Sequence, residues 1–172
     1  MHWFNFGIAL FLTLILQIGS ARLFGLGSGQ IMPDLLLMVM VIIAFRARRE
    51  QAPLAGWVLG LVKDLTSQAP LGGYAFGFGL AALLIVYLRE YFYGDNPITL
   101  MVIAFLSSFL IEQFVLVLCL VKGIFSGRDY GSLTMAITFS SLLTAALTPY
   151  GHWVMMRFYR QLGLPRQRKY GR

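Results

Sequence analysis

The chain is poor in charge, in acid and in the residues that do chemistry. Only 12% of its 172 residues are charged, where a soluble domain carries about 25%. There is one cysteine, Cys119, set in an apolar run, so no internal disulfide can form and no second thiol exists for a metal site. The only histidines are His2 and His152. They form no His-Glu-x-x-His helix and no recognisable serine–histidine pair. No glycine-rich loop ends in Lys-Ser or Lys-Thr, so a phosphate cradle is missing too. No catalytic residue, cofactor or metal is therefore expected, and the chain is not read as an enzyme. Basic residues outnumber acidic ones, fourteen to seven. They stand beside hydrophobic segments, so membrane topology and anionic lipid explain them better than nucleic acid.

What is abundant is apolar: 58% of residues are hydrophobic. The expected class is an all-α integral membrane protein, one domain over 1–172. Its six transmembrane helices are expected at about 3–24, 31–45, 52–67, 71–88, 97–121 and 133–159, followed by a basic cytoplasmic tail, 160–172. The first run has no Lys or Arg before Arg22, so it reads as a helix rather than a signal peptide. Pro33 is expected to start the second helix in the favoured first-turn position, with Asp34 complementing or capping the positive helix end. The third helix is the short one: sixteen residues reach about 24 Å against a core of about 30 Å. Pro149 is expected to bend the sixth.

Charge counting orients the helices. Six crossings with both termini on one side put ten Lys and Arg there and four on the other. A re-entrant third helix gives eight against six, so both termini are expected in the cytoplasm, and Arg157 to Arg172 along the inner leaflet. Asp34 and Asp64 then share the outer end of the bundle, and Glu112 becomes the deepest acid, two-thirds of the way along the fifth helix. Ionisable groups inside a membrane are costly and default to functional hypotheses. Structural roles compete: Asp34 as a cap, Asp64 paired with Lys63, Arg128 or a loop amide, Glu112 bonded to Ser107, Ser108, Ser140 or Thr144.

The stretch from Pro53 to Gly79 organises the rest. Ala52, Gly56, Gly60 and Asp64 recur every fourth residue and form one stripe on a helix, small enough for another helix to approach closely. A second ladder follows at Gly73 and Gly77. Pro33-Asp34-Leu35, a basic loop, Gly56-x-x-x-Gly60-x-x-x-Asp64 and Pro70-Leu71-Gly72, in that order, resemble the rod shape-determining protein MreD family. Lys63 departs from the pattern, at a position expected to be apolar, and so does the second glycine, Gly73.

The resemblance implies a bacterial inner-membrane subunit of the cell-elongation machinery, scaffolding or regulating lateral peptidoglycan synthesis. It would touch MreC, and through it the MreB filament, RodA and penicillin-binding protein 2. Pro33, Asp34, Gly56, Gly60, Asp64, Pro70, Leu71, Gly72 and Glu112 are the candidates for partner contact or helix packing. The family is thought to resemble in fold the S components of energy-coupling-factor transporters, so the alternative is a small-molecule-binding transporter subunit. Against it, the first helix has Ala9 and Thr13 where those subunits carry an Ala-x-x-x-Ala docking motif.

Overall fold

Leu35–Arg46 reads LLLMVMVIIAFR, apolar on every face, and such a helix is stable in a bundle only when every face is covered. In a computed structural model, which describes residues 3–24, 32–67, 69–89, 96–123 and 130–162, every face is covered. Among the described residues there are six α-helices and no strand: α1 Trp3–Phe24, α2 Leu35–Arg46, α3 Gln51–Thr66, α4 Gly73–Leu88, α5 Pro97–Val121 and α6 Tyr130–Leu162. The second of them packs against all five others, and Leu36, Leu37, Val41 and Ile43 are almost fully enclosed.

Helix limits differ from expectation where a turn residue mimics the start of a helix. α2 begins at Leu35, not 31, because Pro33 lies outside it and Asp34 is its N-cap, accepting from the Leu37 amide at 3.1 Å. α4 begins at Gly73, not 71. Pro70, Leu71 and Gly72 build the turn before it, with Gly72 at φ 95°, a backbone conformation that glycine adopts without steric cost. α3 starts and ends one residue early, and α6 overruns the expected 133–159 at both ends, continuing through Pro149. Only α1 and α5 have the expected limits. Residues 163–172 of the basic tail, the 25–31 loop and Arg128 lie outside the described residues.

Shortness is not confined to the third helix. α2 has 12 residues and α3 and α4 have 16 each, about 18 and 24 Å of rise. α1, α5 and α6, at 22, 25 and 33 residues, are longer. Among the described residues two segments, Pro97–Val121 and Tyr130–Met155, are long and apolar enough to cross a membrane. The exterior is apolar as well: Leu65, Phe11, Leu110 and Tyr150 are all more than 60% exposed. A water-facing surface rarely tolerates such a patch, whereas lipid covers it at no cost.

The closest approach is between α3 and α4. A Cβ on Gly56 would stand 2.7 Å from the Ala82 Cβ and 2.8 Å from the Phe78 carbonyl oxygen, and one on Gly60 would stand 2.6 Å from the Ala75 Cα. Backbone meets backbone along this seam. The second ladder faces α5 more loosely. Positions beside Gly77 and Gly73 meet Ile111 at 3.1 Å, Leu118 at 3.4 Å and Val115 at 3.5 Å, all of them side-chain atoms.

Candidate functional site

The start of α2, the end of α3 and the start of α4 converge at one end of the bundle, together with the middle of α5. Two consecutive residues of α3 organise it. Neighbours on a helix point about 100° apart, so Lys63 and Asp64 address different partners and do not pair with each other. Asp64 turns to the α3–α4 connection. Its carboxylate, 2% exposed, accepts from the amides of Gly72 at 3.1 Å, Tyr74 at 3.0 Å and Ala75 at 2.9 Å. A helix begins with amides that have no partner in the helix. Here a carboxylate from the preceding helix supplies the acceptor, and its charge suits the positive helix end. The expectation of a loop amide as partner is met; pairing with Lys63 does not occur.

Lys63 turns the other way. Its Nζ donates to Asp34 Oδ2 at 2.5 Å and to Glu112 Oε1 at 2.6 Å, and lies 4.0 Å from the centroid of the Tyr74 ring, within cation–π range. The Tyr74 hydroxyl donates to Glu112 Oε2 at 2.9 Å. One ammonium thus joins α2, α3 and α5, and both oxygens of Glu112 are used. None of the serines or threonines expected beside Glu112 is its partner: the acid points toward Lys63 on α3 and Tyr74 on α4, away from α6 and from Ser107 and Ser108 of its own helix. Nor is Glu112 the most enclosed acid. The side chains of Asp34, Lys63 and Glu112 are 6%, 13% and 22% exposed, and Asp64 is buried deeper than Glu112. The triad carries two formal negative charges on one positive.

Asp34 is fixed from several sides. Its amide donates to Thr144 Oγ1 at 2.8 Å, while Thr144 donates to the Ser140 carbonyl and Ser140 Oγ donates to the Met32 carbonyl. From α1, Gln17 donates to the Pro33 carbonyl at 3.2 Å and accepts from the Leu35 amide at 2.7 Å. The opposite end of α2 is held by cations. Arg89 NH1 donates to the carbonyls of Ala44, Phe45 and Ala47, the last at 2.6 Å, and Arg46 meets His152 Nε2 at 3.0 Å. A guanidinium only donates, so the imidazole nitrogen is the acceptor. Burial, and then the nearby Arg49 charge, lower the pKa of Arg89.

The candidates from the sequence fall into three places. Asp34 and Glu112 meet at Lys63. Gly56 and Gly60 lie in the α3–α4 seam. Asp64, Pro70 and Gly72 form the turn, with the Pro70 carbonyl accepting from the Gly73 amide at 3.2 Å. Pro33 presents its carbonyl to Gln17, and Leu71 points outward, 76% exposed. Tyr74 and Gln17 are the residues that sequence reasoning missed. Lys63 and Thr144 were expected beside the wrong acids, Lys63 beside Asp64 and Thr144 beside Glu112. Lys63 instead meets Asp34 and Glu112, and Thr144 meets the Asp34 amide. Lys63 did leave a signal, as a lysine where an apolar residue was expected. Among the described residues no group of three or more His, Cys, Asp or Glu side chains could hold a metal.

The Asp64 cap makes a direct prediction. An asparagine in its place would keep one acceptor oxygen for three amides and no charge. Asp64→Asn is expected to cost about 2 kcal/mol, since hydrogen bonds to charged groups contribute about 1.5–3 kcal/mol each, read as a lower melting temperature in detergent. An unchanged melt would show that the turn holds itself.

A family model described as rod shape-determining protein MreD matches residues 1–161. No curated protein and no solved structure matches the chain.

Proposed function

We propose, from the premise that this chain belongs to the rod shape-determining protein MreD family, that it is a non-enzymatic scaffold or regulator of lateral peptidoglycan synthesis. Family membership makes it a membrane protein of cell-shape determination. In this reading the chain has six spans, both termini in the cytoplasm, and contact with an MreC-type single-span partner that links it to the MreB filament, RodA and penicillin-binding protein 2. The match across residues 1–161 carries this reading. The site chemistry supports it. Asp34, Asp64 and Glu112 have their oxygens engaged by Lys63, Tyr74 and backbone amides, an arrangement that fixes helix positions and leaves none of these three carboxylates poised as a free general base. The alternative of an S-component-like binder rests on likeness of fold alone. Thr13, which donates to the Ala9 carbonyl at 2.7 Å, occupies the position of its second docking alanine.

Affinity purification of the full chain from a rod-shaped bacterium in mild detergent tests the proposal. An MreC-type protein is expected among the co-purifying proteins, and depletion of the chain is expected to convert rods to spheres. Retained rod shape on depletion, with no such partner recovered, would sink it.

A further inference from the structure

We infer that the α3–α4 hairpin is a rigid unit whose acidic end is latched onto α2 and α5 by Lys63, and that it can swing away from them about its other end. Three observations define the unit. Gly56 and Gly60 bring the two backbones so close that no Cβ fits between them. Asp64 joins the end of α3 to the first turn of α4 through three amides. The Gly72 conformation closes the connection with one left-handed residue. Motion within the hairpin would therefore break backbone-tight contacts, whereas motion of the whole hairpin would not.

Its attachments to the rest of the bundle are of a different kind. Toward α5 the contacts at Gly73 and Gly77 are with the side chains of Leu118, Val115 and Ile111, which can change rotamer. The polar attachments described above fall at the two ends of the hairpin. At the acidic end Lys63 reaches Asp34 and Glu112, and Tyr74 reaches Glu112. At the far end Arg89 grips three carbonyls in the last turn of α2 and just beyond. Backbone carbonyls cannot titrate or rotate away, so the Arg89 end is the pivot. Ion pairs are the exchangeable end. A buried pair roughly breaks even against apolar packing, so it fixes geometry more than it adds stability. Glu112, the most accessible member at 22% side-chain exposure, is where water or another cation would replace Lys63. The surplus carboxylate makes the closed state dependent on that single ammonium.

The chain contains its own reporter. Cys119, its only cysteine, is 4% exposed and one turn beyond Val115 on the same face of α5, and Val115 is a residue that meets the hairpin at Gly73. Swinging out the acidic end is expected to uncover this thiol. The test is the rate of maleimide alkylation of the full-length protein in lipid nanodiscs, read by mass spectrometry. In the neutral triple variant Asp34→Asn, Lys63→Met, Glu112→Gln no charge is stranded, so the helices are expected to stay assembled while the Lys63 ion pairs are gone and the acidic end keeps only the Tyr74 hydroxyl contact with position 112. Alkylation of Cys119 is expected to be at least tenfold faster there than in wild type, and Lys63→Arg, which keeps the cation, is expected to stay within twofold of wild type. A second reporter separates swinging from general loosening. A cysteine placed at Ala104, fully enclosed on the other half of α5, in a Cys119→Ser background, is expected to stay protected in the triple variant. A wild-type rate at Cys119 in the triple variant would overturn the latch. So would equal acceleration at both positions. These rates are read on the isolated protein, so they stand apart from whether an MreC-type partner is found.

Discussion

Gly60→Leu is expected to remove the folded protein from the membrane. A Cβ at this position already falls 2.6 Å from the Ala75 Cα, and the atoms it meets are backbone that cannot rotate aside. Overpacking a core usually costs about 1–3 kcal/mol when side chains can yield. Here the two helices must separate, so the cost is expected at or above ~3 kcal/mol. Separation would also pull Tyr74 and Ala75 away from Asp64, breaking the cap at the same time. Gly60→Ala is expected to show a smaller loss in the same direction, whereas Gly7→Ala, where an added Cβ meets nothing within 4 Å, is expected to be silent. Abundance in membranes and the detergent melting temperature check all three. Wild-type levels of Gly60→Leu would mean that the seam is not where α3 and α4 are held.

The second large effect is Lys63→Met. Removing the ammonium leaves Asp34 and Glu112 facing each other with no cation between them. Stranding one half of a buried ion pair costs about 3–5 kcal/mol, and here two like charges are stranded together. The loss is expected to be repaired by adding Asp34→Asn and Glu112→Gln. Asparagine remains a good N-cap for α2, and the glutamine carbonyl can still accept from the Tyr74 hydroxyl. Melting temperatures of the single, double and triple variants make a cycle whose coupling term measures the triad. If the triple variant is no more stable than Lys63→Met, the lysine acts through its aliphatic stem or its contact with Tyr74, and the charge argument fails.

How far the sequence carries depends on how far apart the interacting groups lie in the chain. α5 is legible to the residue because Pro97 starts it and an unbroken apolar run follows. The stripe at Gly56 and Gly60 is legible as a close-packing face because helical spacing alone lines it up. The start of α2 is misread from sequence, since Pro33 fits a first helical turn and equally well the residue before a cap, and only the Asp34 bond to Leu37 separates the two. Asp64 stands out as an important acid, but its partners lie eight to eleven residues onward, across a turn whose geometry depends on Gly72. The triad is the least legible. Lys63 bonds to residues 29 and 49 positions away, on helices whose rotation about their own axes no local pattern specifies. A lysine out of place in an apolar stretch is the available clue.

The encirclement of α2 has a consequence for biogenesis. Beyond the Asp34 cap and Gln17, its ends are held by groups made long after it: Lys63 comes 29 residues after Asp34, Arg89 comes 45 after Ala44, and Thr144 comes 110 after Asp34. The helix around which the others are arranged is thus the second to emerge from the ribosome. Although Asp34 and Gln17 can bond its first amides at once, its last carbonyls wait for Arg89 and the Asp34 amide waits for Thr144. Unpaired backbone groups are costly in lipid, so during that interval α2 must be shielded by water at the membrane surface or by an insertion factor. A nascent chain arrested before α6 should therefore leave the 32–46 segment open to protease or thiol probes, and release to full length should close it in one step.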